Sequence, residues 1–100
     1  MSRYTVSDRA REDIKDIYRH IDGDNAAAAR RLRIAFIDKF HLLARQPLLG
    51  EARDDLAANL RMLAADNYVL LYRPTNAGSE VARVLHAARD IAALWRREYS

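Results

Sequence analysis

The chain has 100 residues, of which 17 are basic and 14 are acidic, so its formal net charge is +3 at neutral pH. Half of the residues are hydrophobic and none is cysteine, so the composition predicts one small folded domain over residues 1–100 and excludes disulfides, thiolate chemistry and cysteine-based zinc sites. There is no apolar run long enough to span a membrane and no apolar signal segment at the N-terminus, which favours a cytoplasmic protein.

A short strand and an amphipathic helix are predicted first. Arg3–Val6 is typical of a strand, and Ser7 is well placed to cap the helix that follows. Apolar residues then recur at helical spacing, at Ala10, Ile14, Ile17, Tyr18 and Ile21. We expect the charged residues between them on the solvent side of this helix, namely Arg9, Glu12, Asp13, Asp16 and Arg19.

The segment 22–25 breaks the first helix and offers a cap for a second helix, predicted from Ala26 to Arg45. Pro47 ends this helix, since the residue before a proline is pushed out of the α region. The short connection predicts an antiparallel helical hairpin. Its second helix carries an apolar stripe of Ala28, Ala29, Leu32, Ala35, Phe36, Phe40 and Leu43.

Three strands are predicted after a connector at 46–59. They cover Leu60–Ala64, Tyr68–Arg73 and Glu80–His86, and their short connections favour an antiparallel meander. The sequence therefore predicts an α+β fold with the order βααβββ, in which the helical hairpin packs on a mainly antiparallel sheet and is the cover available for it.

The last predicted element is a short helix over Ile91–Tyr99, with Asp90 as its cap. Ile91, Leu94, Trp95 and Tyr99 share one side of it. A helix of this length does not persist alone, so we expect it to dock on the rest of the fold.

The strand before that helix is the most informative stretch of the chain. Alternation places Val81, Arg83 and Leu85 on one sheet face and Ala82, Val84 and His86 on the other. A buried guanidinium must be paired, and Asp90 and Glu80 are the carboxylates we expect for Arg83. Function is therefore expected near this strand and its exit.

The order of elements and several motifs resemble the ParE branch of the RelE/ParE toxin superfamily. The matching motifs are Tyr4-x-Val6-Ser7-x-x-Ala10-x-x-Asp13-Ile14, Pro47-x-x-Gly50-x-x-Arg53, Asp55-Leu56, Leu60-Arg61, Tyr68-Val69-Leu70-Leu71-Tyr72-Arg73 and Arg83-Val84-Leu85-His86-x-x-Arg89-Asp90. The likeness covers nearly the whole chain, and it departs from the family at Ala87, where a glycine is common.

The resemblance implies the toxin of a type II toxin–antitoxin system, neutralised by a cognate ParD-like antitoxin. In the ParE branch the implied action is inhibition of DNA gyrase by binding, without enzymatic turnover, cofactor or sequence-specific contact with nucleic acid. In the RelE branch the same fold cleaves mRNA on the ribosome. Fold alone does not choose between them. A degenerate toxin that only binds its antitoxin is the third hypothesis.

Candidate residues can be assigned to each role. Cleavage of RNA needs cations around the phosphate and a general acid and base, which Arg61, Arg83, His86 and Arg89 would supply. We interpret His86 rather as a structural histidine at a strand end. No metal is predicted, because neither His20 nor His41 has a second ligand at metal spacing.

Two binding surfaces complete the prediction. An amphipathic segment of the antitoxin would fill an exposed apolar groove on the hairpin and sheet edge, either as a helix in the groove or as an added strand. Its acidic residues would form bidentate pairs with Arg61, Arg73 or Arg83. The target would meet the last helix, since tryptophan and arginine dominate interface energetics. The residues expected there are Trp95, Arg96, Arg97 and Tyr99. The alternative for Trp95 is that it only anchors this helix to the sheet.

Overall fold

A computed structural model describes residues 2–23 and 25–99, apart from the side chain of Asp22. Within these residues the chain forms three helices packed on a mixed sheet of five strands. In chain order the elements are β1 (Arg3–Val6), α1 (Asp8–Asp22), α2 (Ala26–Arg45), β2 (Glu51–Ala52), β3 (Arg61–Ala65), β4 (Tyr68–Pro74), β5 (Gly78–His86) and α3 (Ile91–Tyr99). This α+β architecture confirms the predicted fold class.

The strands lie in the order β1-β5-β4-β3-β2, with β1 parallel to β5 and all other pairs antiparallel. The first strand of the chain therefore pairs with the last. A glycine makes this pairing possible: a Cβ at Gly78 would lie 1.9 Å from the carbonyl oxygen of Arg3, and the φ of Gly78 is +154°. Both the close approach and the backbone angle require the residue that has no side chain.

A β-bulge interrupts β5. The partners of Leu71 and Tyr72 are Arg83 and Val81, so Ala82 is the extra residue. As a result, Val81 and Val84 both pack on the hairpin side of the sheet, while Ala82 and Leu85 pack on the opposite side. The strict alternation predicted for this strand is wrong, because the bulge shifts its phase by one residue.

Both faces of the sheet are covered. The hairpin of α1 and α2 buries one face, and α3 lies on the other with Trp95 only 3% exposed. The hairpin covers one face as predicted, and α3 covers the second face, which the sequence did not predict to be covered. The hairpin-side core includes Leu32, Phe36, Phe40, Leu43, Leu70, Tyr72, Val81 and Val84. The α3-side core includes Leu60, Val69, Leu71, Ala82, Leu85 and Trp95.

The helix caps follow the sequence signals. Ser7, Asn25 and Asp90 each accept a hydrogen bond from a backbone N–H in the first turn of the helix they precede, at 3.0 to 3.1 Å. The bounds of β1, α2 and α3 match the prediction. The other three predicted strands differ from it by one or two residues, β3 at both ends and β4 and β5 at one end. The two-residue β2 lies inside the predicted connector and was not expected. Asp24 of the predicted turn lies outside the described residues.

Among the described residues, no helix combines the length and the apolar character needed to cross a membrane.

Candidate functional site

A cavity of about 300 Å³ opens where α1 meets the end of β5 and the start of α3. It brings together three of the residues considered for RNA cleavage, Arg83, His86 and Arg89. Arg61, the fourth, is absent from its lining and lies in register with Tyr72, two strands away from β5. The other lining residues are Arg9, Asp13, Asp16, Ile17, Tyr68, Val84, Leu85 and Leu94.

Ser7 brings α1 across the edge of β5. Its hydroxyl accepts from the N–H of Ala10 at 3.1 Å, which caps the helix, and donates to the carbonyl of Ala82 at 2.9 Å. Its own N–H donates to the carbonyl of Val81 at 2.9 Å. Ser7 thus lies between β1 and α1 and is hydrogen-bonded to β5. These bonds hold the following turns of α1 beside that strand.

Because α1 crosses the edge of β5, the carboxylate of Asp13 lies against this strand. Its Oδ2 accepts from Arg83 Nε at 2.8 Å and from the N–H of Val84 at 3.0 Å. Its Oδ1 accepts from an Nη of Arg83 and an Nη of Arg9, both at 3.1 Å. The carboxylate therefore accepts four hydrogen bonds. One of them comes from the backbone N–H of Val84, which lies on the edge of β5 beyond the last residue of β1.

Arg83 is consequently a buried and neutralised cation. Its residue is 5% exposed and that of Asp13 is 8% exposed. Burial alone would lower the pKa of Arg83, but the hydrogen bonds and the charge of Asp13 outweigh this effect and raise that pKa. The expectation that Asp90 or Glu80 pairs with Arg83 is wrong; the partner is Asp13, in the first helix.

Arg9 extends this cluster to the last helix. One Nη of Arg9 contacts Asp13 at 3.1 Å and Glu12 at 3.4 Å, and its Nε donates to Glu98 at 3.1 Å. The ion pair with Glu98 joins α1 to α3 across the end of the cavity. The carboxylate of Asp13 is therefore linked through two arginines to β5 on one side and to α3 on the other.

His86 lies at the mouth of the cavity and is exposed. Its Nδ1 accepts from the N–H of Ala88 at 3.0 Å, so a neutral ring carries its proton on Nε2. The ring also meets the edge of the Tyr68 ring, with centroids 5.2 Å apart. These contacts give His86 a structural role in the turn that leaves β5.

The connector between α2 and β3 folds around the hydroxyl of Tyr72. This buried hydroxyl accepts from the N–H of Gly50 and donates to the carbonyl of Pro47, both at 2.8 Å. Arg61 holds the same segment, with one Nη donating to the carbonyls of Gly50 at 2.7 Å and Leu48 at 3.2 Å. The Pro47-x-x-Gly50 motif thus surrounds the hydroxyl of Tyr72, and the guanidinium of Arg61 is hydrogen-bonded to backbone carbonyls.

The residues expected to contact the target divide into two groups. Trp95 is buried against the sheet, and the guanidinium of Arg73 lies 5.7 Å from its ring centroid. Arg96, Arg97 and Tyr99 are exposed on α3. In this structure Trp95 anchors the helix, which leaves the other three accessible to a partner. The three arginines assigned to the antitoxin, Arg61, Arg73 and Arg83, lie on three adjacent strands, and Arg83 is inaccessible.

Asp13 lies on a different side of α1 from the one its sequence context predicts. It was expected on the solvent side of α1, but it belongs to the buried stripe of Ala10, Ile14 and Ile17, at the i+3 position after Ala10. An acid within such a stripe is a signal that it has a buried partner. Arg9 was not assigned to the site, since an arginine at a helix start carries no distinctive pattern.

Comparison with known proteins gives consistent matches. Residues 4–91 match the family model described as "ParE toxin of type II toxin-antitoxin system, parDE". Toxin ParE1 of Mycobacterium tuberculosis is 33% identical over 95 residues, which cover 90% of this chain and 94% of that protein. Toxin ParE1 of Caulobacter vibrioides is 31% identical over 98 residues, covering 93% and 97%.

A solved structure shares the fold. It is titled "Chromosomal ParDE TA system from P. aeruginosa" and superimposes with a TM-score of 0.70 at 16% identity, covering 86% of this chain and 96% of that chain.

Proposed function

Because the chain belongs to the ParE toxin family of type II toxin–antitoxin systems, we propose that it blocks bacterial growth by binding DNA gyrase and that a cognate, ParD-like antitoxin holds it inactive. The inhibition is stoichiometric and uses no cofactor. The proposal treats residues 1–100 as one functional domain that acts in the bacterial cytoplasm, where its target is found.

The buried Asp13–Arg83 pair is the observation that carries this proposal against RNA cleavage. A phosphate in the cavity would need free cations to balance the charge that develops in the transition state. Arg83 already binds a carboxylate through two hydrogen bonds, and Arg9 contacts the same carboxylate. Arg83 is therefore committed to Asp13, and of the four residues assigned to cleavage Arg89 is the exposed cation in the lining of the cavity.

The residues assigned to cleavage are equally poorly placed for proton transfer. A general base must reach the hydroxyl from which it takes a proton. The Nδ1 of His86 already accepts the N–H of Ala88, so this nitrogen is occupied and is not free to take a proton from a substrate hydroxyl. Arg61 would have to leave two backbone carbonyls and move across two strands to join it. These features support a toxin that acts by binding.

The exposed side of α3 is the surface we assign to the target. Trp95 and the Arg9–Glu98 ion pair fix this helix on the fold, so Arg96, Arg97 and Tyr99 are presented from a rigid support. Arginine and tyrosine are the residue types that contribute most at protein interfaces. A rigid helix that carries them needs little ordering on binding.

The test is to purify the toxin from its antitoxin complex and assay it against gyrase and RNA in parallel. We expect loss of DNA supercoiling and accumulation of cleaved DNA with gyrase, and intact mRNA with or without ribosomes. Induction in bacteria should produce filaments and a DNA-damage response. Cleaved transcripts with unaffected supercoiling would favour the ribonuclease, and unimpaired growth would favour a degenerate toxin.

A further inference from the structure

The turn that leaves β5 carries a cation that the fold itself does not use. We call residues 86–90 the exit turn. Within the part of the chain that the structure describes, the guanidinium of Arg89 has no hydrogen-bond or ion-pair partner, and the residue is exposed. Arg89 lines the cavity between α1, β5 and α3 together with His86 and Leu94. Its charge is therefore available to an anion from outside the chain.

The acidic residues near Arg89 are engaged by other groups. The carboxylate of Asp90 accepts a backbone N–H in the first turn of α3 at 3.1 Å and caps that helix. Asp13 accepts four hydrogen bonds from its own partners. Asp16, the remaining acid in the cavity lining, lies 3.5 Å from an Nη of Arg19. Each of these carboxylates thus has another partner, which leaves the charge of Arg89 uncompensated.

Hydrogen bonds hold the exit turn in one conformation. The N–H of Ala87 donates to the carbonyl of Asn67 at 2.8 Å, and the N–H of Arg89 donates to the carbonyl of His86 at 3.0 Å. The Nδ1 of His86 accepts from the N–H of Ala88 at 3.0 Å, so the neutral ring has a second donor in its Nε2–H. A turn that is already ordered loses little conformational freedom when it binds a partner.

We propose that the exit turn binds a backbone phosphate of the DNA that gyrase holds, with Arg89 as the cation and His86 as a second donor. The inference rests on the proposed function, since gyrase brings the DNA to the toxin. The exit turn leads directly into α3, whose exposed side we assign to gyrase, so the two contacts would lie on one continuous surface. A phosphate contact fixes the position of the toxin without reading the DNA sequence.

The exposure of Arg89 favours DNA over a carboxylate of the gyrase chains. An exposed pair of arginine and carboxylate contributes little to binding, because both groups are well hydrated when apart. A DNA strand carries a phosphate about every 3.4 Å along the helix axis and releases condensed counterions when a cation binds to it. An exposed cation therefore gains more from DNA, and DNA offers phosphates along its whole length.

Surface plasmon resonance with the gyrase holoenzyme, in the presence and absence of a DNA duplex, tests the contact. The unchanged toxin should bind the gyrase–DNA complex about tenfold more tightly than gyrase alone. Arg89→Ala should lose this gain and bind gyrase alone as the unchanged toxin does. The matched control is Arg45→Ala, at an exposed arginine of α2, which should keep the gain. Equal affinity of the unchanged toxin with and without DNA would overturn the proposal.

The salt dependence of binding separates a phosphate from a carboxylate. In a plot of log affinity for the gyrase–DNA complex against log salt concentration, Arg89→Ala should reduce the slope by about 1. Arg89→Lys retains the charge and should retain the slope. His86→Asn keeps an acceptor for the N–H of Ala88 but removes Nε2, and it should weaken binding about threefold without changing the slope. An unchanged slope in Arg89→Ala would count against the phosphate.

The outcomes separate this inference from the function on which it rests. Because Arg89 is exposed, Arg89→Ala should keep its melting temperature within about 2 °C, so its binding reports on the contact. Inhibition of gyrase with an affinity that DNA does not change contradicts the exit-turn contact and leaves gyrase as the target. Equal weakening of Arg89→Ala with and without DNA identifies a carboxylate of gyrase as the partner and overturns the proposal. A toxin that neither binds nor inhibits gyrase contradicts both.

Discussion

Asp13 and Arg83 are 70 positions apart in the sequence, and their side chains form a buried ion pair in which Oδ2 lies 2.8 Å from Nε. This pair joins the first helix to the last strand, and Arg9 carries the connection on to α3. Both side chains are largely removed from water, so each charge depends on the other for its stability in the fold.

Removal of one member of this pair should be costly. Asp13→Ala leaves a buried guanidinium without its carboxylate and is expected to lower the free energy of unfolding by about 3 to 5 kcal/mol, measured by urea denaturation followed by circular dichroism. The double variant Asp13→Leu with Arg83→Met removes both charges and should recover most of that loss. A double variant as unstable as Asp13→Ala would show that the charges themselves are not the cause.

Gly50 is expected to be intolerant of a side chain because of Tyr72. A Cβ at Gly50 would lie 2.7 Å from both Cε1 and the hydroxyl of Tyr72 and 2.8 Å from the carbonyl of Met62. Gly50→Ala should therefore lower the free energy of unfolding by about 2 kcal/mol. Gly23→Ala is the control, since its Cβ would meet one atom at 4.0 Å, and its effect should stay within about 1 kcal/mol. Equal losses for both variants would contradict the geometry.

Two tyrosines make the fold sensitive to alkaline pH. Burial raises the pKa of Tyr72 above its ordinary value of 10.0, although the hydrogen bond from Gly50 acts the other way. Burial likewise raises the pKa of Tyr18, against the opposing charge of Arg33. A raised pKa in the folded state means that the folded chain keeps protons that the unfolded chain releases. The stabilisation is complete below pH 10 and is lost as the pH rises through the folded-state values.

The free energy of unfolding should accordingly fall as the pH rises above about 10. Tyr72→Phe removes one of the two groups and should flatten this decline, while a spectrophotometric titration shows which tyrosines ionise late. A decline of the same slope in Tyr72→Phe as in the unchanged protein would refute a contribution from Tyr72.

Local signals in the sequence were sufficient for the helices. Ser7, Asn25 and Asp90 are capping residues whose hydrogen bonds lie within a turn, so the helix starts can be inferred without knowledge of the fold. The strand β2 could not be found this way. A strand of two residues is too short to show a periodicity. Glu51 and Ala52 form a strand because they pair with Met62 and Arg61 of β3.

The candidate site was predicted only in part, since its key contact is long-range. The strand with Arg83 and His86 was identified as the place to look, and both residues do line the cavity. The identity of the partner of Arg83 depends on α1 crossing the edge of β5, which no neighbouring residue encodes. The bulge at Ala82 is a further tertiary effect, because it appears only when β5 is placed against β4.

Substitutions on α3 can separate its buried anchor from its exposed side. Trp95 is 3% exposed, so Trp95→Ala removes a large buried side chain and should lower the free energy of unfolding by about 3 kcal/mol, with loss of gyrase inhibition as a consequence of unfolding. Arg97 is exposed on the same helix. Arg97→Ala should leave the melting temperature within about 2 °C, because surface substitutions change stability little.

The Arg97→Ala variant should nevertheless inhibit supercoiling by gyrase about tenfold more weakly than the unchanged toxin. Arg45→Ala is the matched control, because Arg45 is an exposed arginine at the end of a different helix, α2. Inhibition by Arg45→Ala should equal that of the unchanged toxin. If Arg97→Ala inhibits gyrase as well as Arg45→Ala does, the exposed side of α3 is not the surface that holds the target.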